Sequence, residues 1–132
     1  MRYNRVKIFL GGFIVILEIN GKELEFHFGV RFIREMDARF TVDNPELQGL
    51  KMGFGLEHAF IQIQRGDRAI YADILYCAQK TSKRPHTESF FDDVIDNMGD
   101  DEFDDMAKLV IEAIAESNST KKRWAVMATA MK

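Results

Sequence analysis

Residues 15–29 have the sequence VILEINGKELEFHFG, and their pattern predicts an antiparallel β-hairpin. Val15, Leu17 and Ile19 stand at every second position, as one face of a β-strand requires. The dipeptide Asn20-Gly21 follows, and it is a strong hairpin signal because both central positions of a type I′ turn need a positive φ. The return strand again alternates apolar with polar residues, and its apolar set is Leu24, Phe26 and Phe28.

The remainder of the chain predicts helices that cover this hairpin, because an isolated hairpin is only marginally stable in water. Apolar residues recur every three or four positions in six segments. Asp67 and Thr87 are expected to cap two of them, and Asp100 or Asp101 to start a third. The apolar stripes span residues 32–40, 52–63, 70–78, 90–95, 103–114 and 124–131. The predicted fold is α+β and mostly α, with an N-terminal β-hairpin packed on a bundle of about five to six short helices.

Composition limits the classes of protein that this chain can represent. Its 132 residues make one domain, and 46% of them are hydrophobic, which is typical of a cored protein. A single cysteine, Cys77, excludes an internal disulfide framework and a cysteine-based zinc cage. The net charge is −3, and no run of about 20 apolar residues is present to span a bilayer.

The N-terminus has a pattern of its own. Arg2, Arg5 and Lys7 precede an apolar run from Ile8 to Leu17, which imitates the start of a signal peptide. No small-residue cleavage site follows, which argues against secretion. A second interpretation treats residues 1–14 as an extension that arises from a misassigned start codon, with Val15 as the true start. We therefore expect an N-terminal extension at 1–14 and a single domain at 15–132.

An acidic cluster of eight Asp and Glu residues lies between positions 92 and 105. A calcium loop needs glycine at its sixth position and glutamate at its twelfth, but with Gly99 sixth, Asp105 stands twelfth. The acids around 100–105 are better explained by the favourable dipole at a helix start. No nucleotide loop, zinc motif or nucleophile motif is present. We therefore expect no catalytic residue, no metal site and no cofactor.

Two features of the last helix suggest contacts with a partner. Lys121-Lys122-Arg123 opens it, and these cations predict phosphate contacts in a small nucleic-acid-binding regulatory protein, although the acidic total charge favours a solvated face. The same helix aligns Trp124, Met127 and Met131 on one side. This stripe either closes the core or binds a partner helix. Trp124, Met127 and Met131 are the candidate partner-binding residues.

Residues 17–37, LEINGKELEFHFGVRFIREMD, resemble the opening of the tail assembly chaperones of long-tailed phages and prophages of Gram-positive hosts. Members of that family begin with an Ile-Asn-Gly-Lys-Glu hairpin, an aromatic-x-aromatic-Gly step and a helix with an aromatic-Leu/Ile-Arg-Glu core. Later segments keep the family's order and extend the resemblance over about residues 15–125. These segments are Gly53-Phe-Gly-Leu-Glu57, Tyr71-Ala-Asp-Ile-Leu75 and Glu116-Ser-Asn-Ser-Thr-Lys-Lys122.

The resemblance implies a non-enzymatic protein of the host cytoplasm that is absent from the mature virion. Such chaperones coat the long tape measure protein before the tail tube, built from the major tail protein, polymerises around it. They are often made in two lengths by a programmed frameshift, and this chain would be the shorter form. The implied partners are the tape measure protein and the major tail protein, with self-association in a homo-oligomer, no membrane and no nucleic acid. A coiled tape measure exposes apolar stripes that aggregate unless they are covered.

Overall fold

The structure, a computed structural model, describes residues 2–9, 12–43, 46, 50–79 and 85–130, with side chains from residue 14 onward. A three-stranded antiparallel sheet comes first in the chain, and six helices follow in the described part. The predicted fold class, α+β and mostly α with an N-terminal hairpin, is confirmed. Within the described residues, none of the helices has both the length and the apolar character needed to cross a membrane.

The predicted hairpin forms the centre and one edge of the sheet. Strand β2 (Gly12–Ile19) pairs antiparallel with β3 (Lys22–His27), and Leu17 stands opposite Leu24. Asn20 and Gly21 have φ values of 53° and 79°, the two positive angles that a type I′ turn requires. The local turn chemistry therefore sets the register, which places one apolar face of both strands on the core.

A strand that the sequence analysis did not predict occupies the other edge of the sheet. Strand β1 (Arg2–Phe9) pairs antiparallel with β2 from Arg2 opposite Glu18 to Phe9 opposite Gly12. The register shifts between Tyr3 and Arg5. This strand lies inside the segment 1–14, for which only an extension was expected. The division of the chain into 1–14 and 15–132 stays a prediction.

The six helices follow the predicted apolar stripes. Thr87 caps α4 as predicted, because its Oγ1 accepts a hydrogen bond from the N–H of Phe90 at 3.2 Å. Asp67 accepts from the N–H of Ala69, the first residue of α3, at 3.0 Å. Of the two predicted starts of α5, the structure has Asp100. The helices are α1 (Val30–Arg39), α2 (Gly55–Gln64), α3 (Ala69–Ala78), α4 (Glu88–Asp96), α5 (Asp100–Glu116) and α6 (Lys121–Ala130).

The prediction that Met52 belongs to the second helix is wrong. Met52 lies in β5 (Lys51–Gly53), which pairs with β4 (Thr41–Asp43) in a separate two-stranded sheet. Helix α2 begins only at Gly55. Three-residue strands are too short to show an alternating pattern, so helical spacing extended the predicted helix over them.

The core lies between the sheet and the helices. Helix α5 packs against β2, and Phe28 and Phe32 meet edge-to-face with ring centroids 4.9 Å apart. Buried side chains from every helix join them in a single cluster. The largest fully buried side chains are Phe26, Phe28, Phe32, Phe91, Leu17, Met36, Leu56, Ile70, Ile74, Leu75, Met106 and Ile114.

Two arginines join helices that are distant in sequence. Arg39 of α1 donates from Nε to Asp73 of α3 at 2.8 Å and from Nη1 to Glu88 of α4. Arg68 donates from Nη2 to the carbonyl oxygens of Ile95 and Met98 at 2.9 and 2.8 Å, where α4 ends. Each guanidinium therefore serves as a planar, multiply bonded connector between elements.

Two glycines allow α2 and β5 to lie directly on α1. A Cβ atom at Gly55 would stand 2.4 Å from the carbonyl carbon of Met36, and one at Gly53 would stand 2.4 Å from Cβ of Asp37. Neither glycine has a positive φ, so close approach, and not a special backbone angle, requires them. The spacing Gly53-Phe54-Gly55 is thus a packing motif.

We predict that Gly55→Ala lowers the free energy of unfolding by roughly 2–3 kcal/mol, because the new methyl group meets the backbone of α1. The control is Gly99→Ser at the N-cap of α5, where a Cβ meets nothing within 4 Å and serine is a favoured cap residue. That variant is expected to stay within about 0.5 kcal/mol of the parent protein. Urea titrations of both variants measure the difference, and equal stabilities would contradict the packing argument.

Candidate partner-binding surface

Helix α6 carries two of the three residues that the sequence analysis selected, Trp124 and Met127. Trp124 is only 6% exposed, and its ring meets Phe60 of α2 edge-to-face with centroids 5.1 Å apart. Met127 is partly buried against the core, and Met131 lies outside the described residues. The structure therefore places Trp124 of the predicted stripe against α2. Its role in partner binding stays a proposal.

Arg123, which precedes Trp124, holds α6 in place through two carboxylates. Its Nη1 and Nη2 donate to Asp37 of α1 at 3.0 and 2.8 Å, and its Nε and Nη2 donate to Glu57 of α2 at 2.7 and 2.6 Å. Asp37 Oδ1 also accepts from the N–H of Gly55 at 2.9 Å. The cluster of Arg123, Asp37, Glu57 and Gly55, hereafter the Arg123 cluster, joins three helices that spacing along the chain could not connect.

The charges of the Arg123 cluster shift one another's proton affinities. Partial burial raises the pKa of Asp37, but hydrogen bonds from Arg123 and Gly55 outweigh it and leave that pKa below the ordinary value of 3.8. The hydrogen bonds from Arg123 lower the pKa of Glu57 below 4.5, against a smaller opposing effect of burial. Both carboxylates are therefore ionised at neutral pH and are stabilised by the same guanidinium.

The Arg123 cluster changes the interpretation of the basic triplet. Arg123 is already bonded to two carboxylates, whereas Lys121 and Lys122 are exposed. The sequence contains a second basic group, which consists of Lys80, Lys83 and Arg84. All three residues lie outside the described part of the chain. Two adjacent exposed lysines do not form the basic stripe that phosphate recognition requires, so the geometry gives the nucleic-acid alternative little support.

An apolar surface that the sequence analysis missed lies on the small β4–β5 sheet. Val42 and Met52 stand opposite each other in register, so their side chains are neighbours. Leu50 directly precedes β5. We call Val42, Leu50 and Met52 the hairpin patch. Their exposed fractions are 41%, 58% and 53%, and the other large exposed apolar residues of the described chain are Val30, Ile61 and Val126.

The described residues bring no catalytic constellation together. His58 stacks on Phe40 and His86 on Phe90, each with ring centroids 4.1 Å apart. Burial raises the pKa of the Cys77 thiol to about 12, which keeps it protonated and unreactive at neutral pH. In the part of the chain that the structure describes, no three His, Cys, Asp or Glu residues are placed to hold a metal ion.

Comparison with known protein families gives a match over most of the chain. The family model for phage tail assembly chaperone protein, TAC, matches residues 16–128 of the 132-residue chain. This range contains the second half of β2, all of β3, all of α1 to α5 and most of α6. Searches of curated proteins and of solved structures found no match.

We predict that Arg123→Ala lowers the free energy of unfolding by roughly 2 kcal/mol at neutral pH, because it leaves two partly buried carboxylates without their main donor. Lys122→Ala, which removes an exposed cation one position away, is expected to change it by less than about 0.5 kcal/mol. Chemical denaturation of both variants measures this. A loss of equal size in both would contradict the proposed role of the Arg123 cluster.

Comparison of the parent protein with Arg123→Ala also tests how the stabilising effect of the Arg123 cluster depends on pH. Asp37 and Glu57 have lower pKa values in the folded than in the unfolded chain, so their stabilising effect is full above the ordinary values of 3.8 and 4.5. The effect is lost as the pH falls through the lowered folded-state pKa values. The stability gap between the parent protein and Arg123→Ala is therefore expected to narrow as the pH falls below the ordinary values of 3.8 and 4.5. A gap that stays constant with pH would refute this coupling.

Cys77 supplies a test of burial. We predict that an aromatic disulfide reagent at about pH 8 labels the folded chain at least roughly 100-fold more slowly than the same chain in urea, because the thiol is buried and protonated. The unfolded chain is the control for reagent activity. Comparable labelling rates in the two states would show that α3 opens readily around Cys77.

Proposed function

We propose a role in tail assembly because this chain belongs to the phage tail assembly chaperone family, whose model covers residues 16–128. In this proposal the protein binds the tape measure protein in the host cytoplasm and helps to recruit the tail tube protein during tail morphogenesis. It performs no chemical reaction. Family membership is the observation that carries the proposal, and the surface of the protein supplies the physical means.

The hairpin patch is suited to holding an apolar client. A tape measure helix with exposed apolar stripes aggregates unless another surface covers them. Val42, Leu50 and Met52 offer three neighbouring apolar side chains on a small sheet whose body is fixed to α1 through Gly53. Valine is β-branched and stiff at χ1, so it presents a defined surface, whereas methionine adapts its shape to different partners.

Helix α6 offers a second contact surface in the same proposal. Val126 is the most exposed of the large apolar residues in the described chain, and Met127 is half-buried beside it. Trp124 lies against Phe60, so it anchors the helix while Val126 and Met127 meet the partner. Participation of the complete stripe of Trp124, Met127 and Met131 would require α6 to separate from α2.

The central experiment is co-expression of the full chain with the tape measure protein of the same phage or prophage. We expect the tape measure to remain in the soluble fraction only when this protein is present and to co-purify with it. A tape measure that precipitates equally with and without the protein would overturn the proposed function. Addition of the major tail protein then tests recruitment, which we expect to require the preformed complex.

We predict that Val42→Ser/Leu50→Ser sharply reduces the soluble tape measure, because two apolar contacts of the hairpin patch are replaced by hydroxyls. The matched control is Val30→Ser/Ile61→Ser, which changes two comparably exposed apolar residues outside the patch. The control is expected to keep the tape measure soluble. Thermal melts verify that both variants fold, and an equal loss of client in both would exclude the patch as the specific surface.

A further inference from the structure

A groove of 420 Å³ lies between α3 and α4. Its floor is apolar, since Ala72 and Ile95 are buried there with only 6% and 4% of their surfaces exposed. Its rim is polar and mostly acidic. The lining residues are Arg68, Ala69, Ala72, Asp92, Ile95 and Asp96.

Among the described residues that line the groove, Arg68 is the one cation, and it already has partners. Besides its bonds to the two carbonyl oxygens at the end of α4, Arg68 holds Nη1 3.6 Å from Asp100. Its guanidinium carbon stands 4.3 Å from the ring centroid of Phe103. These contacts hold the guanidinium of Arg68 in place. Its partners are groups other than the acids on the opposite rim of the groove.

Asp92 and Asp96 form that opposite rim. They stand one helical turn apart on α4, both are exposed, and the described residues place no cation within ion-pair distance of either. The groove therefore combines an apolar floor with a negative edge.

We propose that the α3–α4 groove binds a cationic amphipathic helix of the client protein, and this inference rests on the proposed function. Two Lys or Arg residues one turn apart on the incoming helix would pair with Asp92 and Asp96. A small apolar residue between them would rest on Ala72 and Ile95, as in other helix-in-groove contacts. The groove then selects client segments by charge, whereas the hairpin patch contacts them only through apolar surface.

The direct probe is a fluorescent helical peptide that carries lysines four residues apart on an alanine and leucine face. A second peptide with glutamates at the lysine positions controls for apolar binding alone. We expect the parent protein to bind the lysine peptide with an affinity that falls as salt is added, and to bind the glutamate peptide far more weakly. Equal binding of both peptides would overturn the proposal.

Charge-reversal variants test whether the lysine peptide binds at the α3–α4 groove. Asp92→Lys/Asp96→Lys is expected to weaken lysine-peptide binding by about tenfold, because two attractions become repulsions. Glu112→Lys/Glu116→Lys is the matched control, since it reverses two exposed acids at the same spacing on α5 and gives the same total charge. The control is expected to stay within about twofold of the parent protein. An equal loss in both variants would show that net charge alone attracts the peptide.

Two further measurements separate this inference from the proposed function. If the peptide binds as expected while the tape measure stays insoluble, the groove is supported and the proposed function fails. If the parent protein keeps the tape measure soluble and Asp92→Lys/Asp96→Lys does so equally well, the groove proposal fails and the function stands. Sedimentation of the parent protein alone tests self-association. If the parent protein forms an oligomer and only Asp92→Lys/Asp96→Lys dissociates it, the groove binds a second copy of this chain. That result would overturn the proposal that the groove binds the client.

Discussion

The positions of α1, α2 and α6 relative to one another depend on the guanidinium of Arg123. It bonds to a carboxylate of α1 and to one of α2, and through them α6 is fixed against elements 86 and 66 residues earlier in the chain. The aspartate in this cluster also accepts from the N–H of Gly55. That bond requires α2 to start directly on α1, and only glycine leaves room for the approach. The glycines, the two acids and the arginine therefore form one physical unit, in which the loss of any member affects the others.

Features that rest on local chemistry could be predicted from the sequence. Asn20-Gly21 specifies its own turn, Thr87 caps its own helix, and apolar spacing locates each helical segment. Strand β1 was missed because the apolar run from Ile8 to Leu17 was compared with a signal peptide and was not divided into two strands. The β4–β5 sheet is different, since three-residue strands owe their pairing to tertiary contacts and leave no periodic trace in the sequence.

The candidate site shows the same division between local and long-range information. Spacing correctly grouped Trp124 and Met127 on one face of a helix, but spacing does not reveal what that face meets. The structure places Phe60 there, and the tryptophan becomes an anchor. In the same way, Arg123 belongs to a basic triplet in the sequence, but in the fold it is bonded to the two carboxylates of the Arg123 cluster. The sequence separations of these contacts explain why neither partner could be inferred from the residues alone.

A chaperone that must leave its client has to bind each segment weakly, and the surfaces of this protein fit that requirement. Covering the exposed parts of the three side chains in the hairpin patch is worth about 3 kcal/mol at roughly 25 cal/mol per Å², and association itself consumes much of that free energy. Exposed ion pairs at the rim of the α3–α4 groove add at most about 1 kcal/mol each. One copy alone would therefore bind reversibly. Under the proposed function, a long client with repeated helical segments would gather many copies, and each copy would contribute only a small part of the total binding free energy.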